Sequence, residues 1–171
     1  LYEKGGEKLS YKVAYTWSRT DRTFEGVNEG RTFLAKYDRP HVLNVQGDYL
    51  FIKKDESNEM GVNMMFTYQS GNMESVKSAT YLGYLPGWDK DIVLDYYSGI
   101  NNLRLKPYIR LDLGWYAKFK RVMVTHNVKA GIYNVLNRHN HFSLYYDSQT
   151  KEWKQVYIFP MMPSLSYSVE F

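Results

Sequence analysis

Tyr81, Tyr84, Trp88, Tyr96 and Tyr97 fall within one short stretch that also carries Gly and Asp. Flat aromatic faces among small polar residues can stack on sugars, haem-like rings or peptides, and they equally suit packing within a loop. Arg110 and Asp112 stand two residues apart, the spacing that puts both on one face of a strand. There they can contact a solute, or neutralise one another and tie an internal domain to a wall, and the second role is the favoured one. His139 and His141 share that spacing and could offer two imidazoles to a metal, but no third ligand follows nearby and exposed loop histidines are the simpler reading. Asp55 to Gly61 is acid-rich yet lacks the ligand spacing of a calcium loop. No Gly-x-Ser-x-Gly elbow, phosphate loop or dinucleotide-binding turn occurs. With no cysteine there is neither a thiol nucleophile nor a disulfide. No catalytic residue, metal or cofactor is therefore expected, and the chain is read as a non-enzyme.

The elements that must carry these residues are strands. From Lys8 to Ser18, apolar and aromatic Leu9, Tyr11, Val13, Tyr15 and Trp17 alternate with Ser10, Lys12, Ala14 and Thr16, a period of two. The same alternation marks His41–Phe51, Met60–Gln69, Tyr108–Phe119, Val124–Tyr133 and Ser164–Phe171. It is sharpest where Ile109, Leu111, Leu113, Trp115, Ala117 and Phe119 oppose Arg110, Asp112 and Lys118. Hydrophobic residues at 44% and 17 Tyr exclude a disordered chain, and no apolar run is long enough for a membrane helix. A net charge of +4 is too mild an excess to argue for nucleic acid as a partner.

Alternation alone leaves a soluble β-sandwich open. Three patterns favour a transmembrane barrel wall. Lys12, Asp48, Arg110, Asp112 and Lys129 all lie on the polar face of their runs, and no charged residue lies on the apolar face within those spans. Aromatic residues gather toward strand ends, as in Tyr15 with Trp17, Tyr49 with Phe51, and Phe66 with Tyr68. Short connections at Lys4–Glu7, Lys54–Asn58 and around Lys120 and Arg121 alternate with long ones at Arg19–Pro40, Gly71–Lys106 and Val135–Pro163. That matches the short periplasmic turns and long external loops of outer-membrane barrels. The expectation is thus an all-β, antiparallel transmembrane segment spanning residues 1–171, with Leu9, Leu43, Met64, Leu113 and Val128 against lipid. A hairpin of Phe142–Tyr146 and Glu152–Phe159 stands in the last loop.

Several stretches then resemble one family. They are Tyr108-Ile109-Arg110-Leu111-Asp112-Leu113-Gly114, Ile132-Tyr133-Asn134-Val135-Leu136-Asn137-Arg138, Phe159-Pro160-Met161-Met162-Pro163-Ser164-Leu165 and the terminal Phe171. With Tyr37-Asp38-Arg39-Pro40-His41 and Thr67-Tyr68-Gln69-Ser70-Gly71-Asn72, this ordered set resembles the C-terminal part of TonB-dependent outer-membrane receptors of the Bacteroidetes type. The resemblance implies the last six strands of a 22-stranded barrel in the outer membrane, importing a scarce solute such as a siderophore, cobalamin, glycan or peptide. It also implies a plug and a TonB box outside this sequence, through which TonB–ExbB–ExbD would act. Outer-membrane lipid, lipopolysaccharide and a surface lipoprotein are the other implied partners. Leu165, Tyr167, Val169 and Phe171 resemble the closing-strand signal read by the barrel-assembly machinery. The competing reading is a complete small barrel of structural or adhesive role, completed by strands from Ala79–Tyr84, Ile92–Tyr97 and the loop hairpin.

Overall fold

The structure is a computed structural model that describes residues 1–55, 58–84, 87 and 92–171. It is all-β, with only antiparallel pairing. In chain order the strands are β1 (Tyr2–Gly5), β2 (Leu9–Trp17), β3 (Asp21–Arg22), β4 (Phe33–Leu34), β5 (His41–Asp55), β6 (Asn58–Gln69), β7 (Met73–Glu74) and β8 (Ala79–Gly83). They continue with β9 (Ile92–Tyr96), β10 (Leu103–Arg104), β11 (Tyr108–Arg121), β12 (Val124–Tyr133), β13 (His141–Asp147), β14 (Glu152–Tyr157) and β15 (Met162–Glu170). Seven form one sheet in the order β1-β2-β5-β6-β11-β12-β15. The rest pair locally as β3 with β4, β7 with β10, β8 with β9 and β13 with β14.

Each run of alternating residues becomes a strand of the large sheet, and the register joins the runs face to face. Tyr11, Gly47, Met64, Leu113, Ile132 and Pro163 form one continuous row, and Leu9, Tyr49, Val62, Trp115, Ala130 and Leu165 form the next. On the other face Lys12, Gln46, Met65 and Asp112 form a row, as do Ser10, Asp48, Asn63, Gly114, Gly131 and Ser164. Because side chains alternate across a strand, this register gathers the apolar sets of all six expected strands onto one face. Lys4 and Arg121 share that parity, and both stand within two residues of a short turn.

Among the described residues no second layer covers either face. Among the described residues the buried hydrophobic ones are Ala35, Met73, Leu105 and Ala117, and three of these lie in the long connections rather than in the sheet. Leu165 is 78% exposed and Tyr167 61%. The chain exposes 12450 Å², against about 8,800 Å² for a compact monomer of this size. A sandwich would bury the apolar face against a second sheet; among the described residues this sheet has none.

The strands are also inclined to the line of their turns. Following the pairs Leu9↔Tyr49 and Leu50↔Gly61, the β1–β2 turn lies level with the Met60–Gly61 step of β6, above that strand's end at Asn58. Through Glu59↔Lys118, the end of β6 in turn lies above the β11–β12 turn. The three turns step down by about six residues across four strand spacings, or about 20 Å against about 19 Å, an inclination of about 45°.

Four local details differ from the sequence reading. Tyr2–Gly5 pairs with β2 as a seventh strand, although the turn was expected to open at Lys4; four residues are too few for alternation to register. The β11–β12 turn falls at Val122 and Met123, so Lys120 and Arg121 remain paired. Irregularities at Leu50/Ile52 and Lys53/Asp55 let Ile52, rather than Phe51, oppose Met60, and β5 extends to Asp55. The segments proposed to complete a small closed barrel, Ala79–Tyr84 with Ile92–Tyr97 and the loop hairpin, pair with themselves as β8–β9 and β13–β14, and none joins the large sheet.

Candidate functional site

All three long connections emerge at one end of the sheet, and there polar residues replace the missing core. The two largest fully buried side chains are Asn134 and Asp38. Asp38, 1% exposed, receives the Arg104 guanidinium at 2.6 Å and the Thr20 amide at 2.8 Å. Arg104 also donates to the backbone carbonyls of Asp38 at 2.7 Å and Gly71 at 3.0 Å. Burial alone would raise the Asp38 carboxyl, but Arg104 and the Thr20 amide outweigh it and hold the group below its ordinary value. One ion pair thereby locks the first long connection to the second. Around it the Met73 amide bonds Lys36 O at 2.8 Å and the Ala35 amide bonds Thr20 O at 2.9 Å. Gly71 is required at this junction, since a Cβ there would lie 1.8 Å from the Leu105 carbonyl oxygen.

The third connection is tied to β11 by two asparagines. Asn134, in the left-handed region at φ 53°, directs its amide to Asp112 Oδ1 at 2.9 Å and its side-chain nitrogen to the Arg138 and Phe159 carbonyls. Asn140, 2% exposed, donates to Ile109 O at 2.9 Å and accepts from the Ile109 N–H at 3.0 Å. Its carboxamide thus stands in for a strand neighbour beyond the end of β12.

Arg110 and Asp112 meet as an ion pair, with Arg110 Nε 3.0 Å from Asp112 Oδ2 though off the line of a hydrogen bond. Arg110 donates to the hydroxyls of Tyr108 and Tyr133 and lies over the Tyr133 ring at 4.7 Å. Asp112 at the same time holds the Asn134 amide. This pair organises the sheet and the loop together, and on the same face Tyr116 reaches across Gly61 to Asp48 Oδ1 at 2.9 Å.

The aromatic set lies apart from that pair, on the β8–β9 ribbon. Tyr81 and Tyr96 touch edge to face at 6.3 Å, and Tyr81, Tyr84, Tyr96 and Tyr97 are all exposed. Trp88 lies outside the described residues. Lys77, bound to Asp95 at 3.0 Å, caps the Tyr146 ring of the β13–β14 hairpin at 3.3 Å, which joins the second connection to the third. Burial opposes the Lys77 charge, but Asp95 and Tyr146 more than offset it and leave the ammonium above its ordinary value.

His139 and His141 both pack on Tyr157, with ring centroids 5.3 and 5.2 Å away, and no cluster of three metal-ligating residues occurs among the described residues. Burial, then the neighbouring charges of Lys106 and Arg138, push the His141 imidazole below its ordinary value. On the apolar face His126 is stacked between Phe119 and Tyr167, with Nδ1 2.7 Å from the Tyr167 hydroxyl. Leu165, Tyr167 and Val169 share that face along the outer strand β15, and Phe171 follows the end of that strand.

Sequence reasoning missed Asp38, Arg104, Asn134 and Asn140 as the residues that tie this end together. The motifs holding Asp38 and Asn134 were visible, but their partners are 66 and 22 residues away. No protein-family model, curated protein or solved structure matches the chain.

Proposed function

We propose that this chain is a section of the wall and outer loops of an outer-membrane β-barrel, and specifically of a TonB-dependent receptor that imports a scarce solute. The observation that carries the membrane reading is the apolar face, continuous across the sheet, uncharged away from its turns and uncovered by any second layer. Three further features support it. From Ile109 to Phe119 the apolar face of β11 rises about 23 Å at a 45° incline, near the ~25 Å band of such barrels. The incline read from the turns falls at the upper end of the 35–45° tilt of barrel strands. Rings cluster at both ends of the band, with Tyr15 on His41 at one and Phe119, His126 and Tyr167 at the other.

Among the described residues β1 and β15 each have one neighbour, which leaves the sheet open on both sides. An open edge in lipid leaves backbone groups unpaired, which favours a larger closed barrel in which other strands continue the wall. The ordered motif resemblance then directs the reading to TonB-dependent import. In this reading the tied loop end faces outside, the β8–β9 aromatics contribute to solute capture, and Phe171 closes the strand that the assembly machinery engages.

The test is fractionation of the native protein, with Leu113→Arg as the perturbation. We expect the protein in the outer membrane as a heat-modifiable band, and uptake that requires the proton-motive force. An arginine at mid-band costs about 2–4 kcal/mol in lipid and should deplete the folded form. Full solubility without detergent overturns the barrel reading; a stable outer-membrane barrel without energised uptake overturns the receptor reading alone.

A further inference from the structure

Where the three long connections converge, positive charge is left without a counter-ion. Arg39 comes from the first connection, Lys106 from the second, and Arg138 and His141 from the third. Among the described residues none of Arg39, Lys106 and Arg138 pairs with a carboxylate, whereas Arg104, Lys77 and Arg110 at the same end all do. Arg39 uses Nε for Asn72 Oδ1 at 2.7 Å and Nη1 for Gln69 Oε1, which leaves its remaining guanidinium hydrogens uncommitted. Arg138 donates to Pro107 O at 3.1 Å and acts electrostatically on His141. The Nδ1 atom of His141 is buried with no hydrogen-bond partner among the described residues. A cavity of about 40 Å³, lined by Arg39, Ser70, Asn72, Lys106, Tyr108 and His141 among others, lies at this point.

A buried polar nitrogen without a partner is costly, and so are cations gathered without an anion. Both costs are removed by one ligand that accepts hydrogen bonds and carries negative charge. The cavity has room for two or three water-sized groups, which suits the three heavy atoms of a carboxylate. A planar carboxylate also matches the fork of Arg39.

We infer that this junction is a binding site for a carboxylate group carried by a solute reaching the loop end. The site stands on the loop geometry and does not depend on what solvates the sheet. Sodium acetate is the probe, titrated into the detergent-solubilised protein at constant ionic strength against sodium chloride, with thermal unfolding as the readout. Acetate is expected to raise the unfolding temperature where chloride does not. Among the described residues the Lys106 side chain makes no hydrogen bond or ion pair, so its replacement should leave the fold intact, and Lys106→Gln should weaken the acetate response about tenfold. Lys106→Glu supplies a carboxylate from within, and should raise the unfolding temperature without acetate while abolishing the response. Equal effects of acetate and chloride, or an unchanged response in Lys106→Gln, overturn the assignment.

Discussion

Arg104→Met removes the cation that faces Asp38 while keeping much of the side chain's length. Three contacts go: the 2.6 Å ion pair and the hydrogen bonds to Asp38 O and Gly71 O. Asp38 stays 1% exposed with the Thr20 amide as its remaining donor. Removing one partner of a buried pair costs about 3–5 kcal/mol, and the surviving amide places this case near the lower figure. At about 1.4 kcal/mol per decade, opening of the junction should become at least a hundredfold more frequent. The Met73 amide bonds from the second connection to Lys36 O of the first, while the Ala35 and Leu105 amides bond within the first and the second, and all three report that opening by hydrogen exchange. The sign with pH follows from the same pair. In the wild type the folded Asp38 value is below the ordinary one, so its stabilisation is present at neutral pH and lost as pH falls through the folded value. In the variant, burial without Arg104 raises the carboxyl, so acidification toward pH ~4 should neutralise it and shrink the deficit. Asp38→Asn combined with Arg104→Met should recover most of the loss at neutral pH. A deficit below about 0.5 kcal/mol, or one independent of pH after correction for intrinsic exchange, refutes the claim that this pair locks the loops.

Asn140→Ala orphans both backbone groups of Ile109 and should cost about 2–4 kcal/mol in unfolding, with Asn140→Asp losing less because one acceptor survives. Val122, 90% exposed, holds φ 60° in the β11–β12 turn, a conformation that disfavours β-branched residues. Val122→Gly should therefore raise stability by about 1 kcal/mol, read by thermal melting. The folded His141 imidazole lies below its ordinary value, so the unfolded chain takes up the proton first. Stability should be full above pH ~6.5 and fall as pH drops below it, with a slope that His141→Gln reduces in a urea-midpoint series.

The two-residue period made the large sheet legible, because a single parity per strand was enough to assign Leu9, Leu43, Met64, Leu113 and Val128 to one side. Register between strands was not stated by the pattern, yet matching parities left it little freedom. The irregularities beside Leu50 and Lys53 were invisible, since one extra residue changes parity without changing composition. Arg110 and Asp112 were found because a local spacing joined them. Asp38 with Arg104, and Asn140 with Ile109, are pairs 66 and 31 residues apart, and a lone Asp or Asn in a loop resembles any solvated residue until its partner is placed. The tyrosines from Tyr81 to Tyr97 announced a surface by composition, but their edge-to-face contact depended on the β8–β9 register.

The central claim is that lipid solvates one face of the sheet and water the other. Val128 and Lys129 are sequence neighbours on opposite faces of β12, and Leu165 and Ser166 repeat the pair on β15. Nitroxide labels placed singly at these four positions in the membrane-embedded protein, with relaxation by oxygen and by a water-soluble nickel chelate, read each face directly. Positions 128 and 165 should respond to oxygen and resist nickel, and positions 129 and 166 should respond to nickel. Equal accessibility within either pair, or the inverted pattern, contradicts the account.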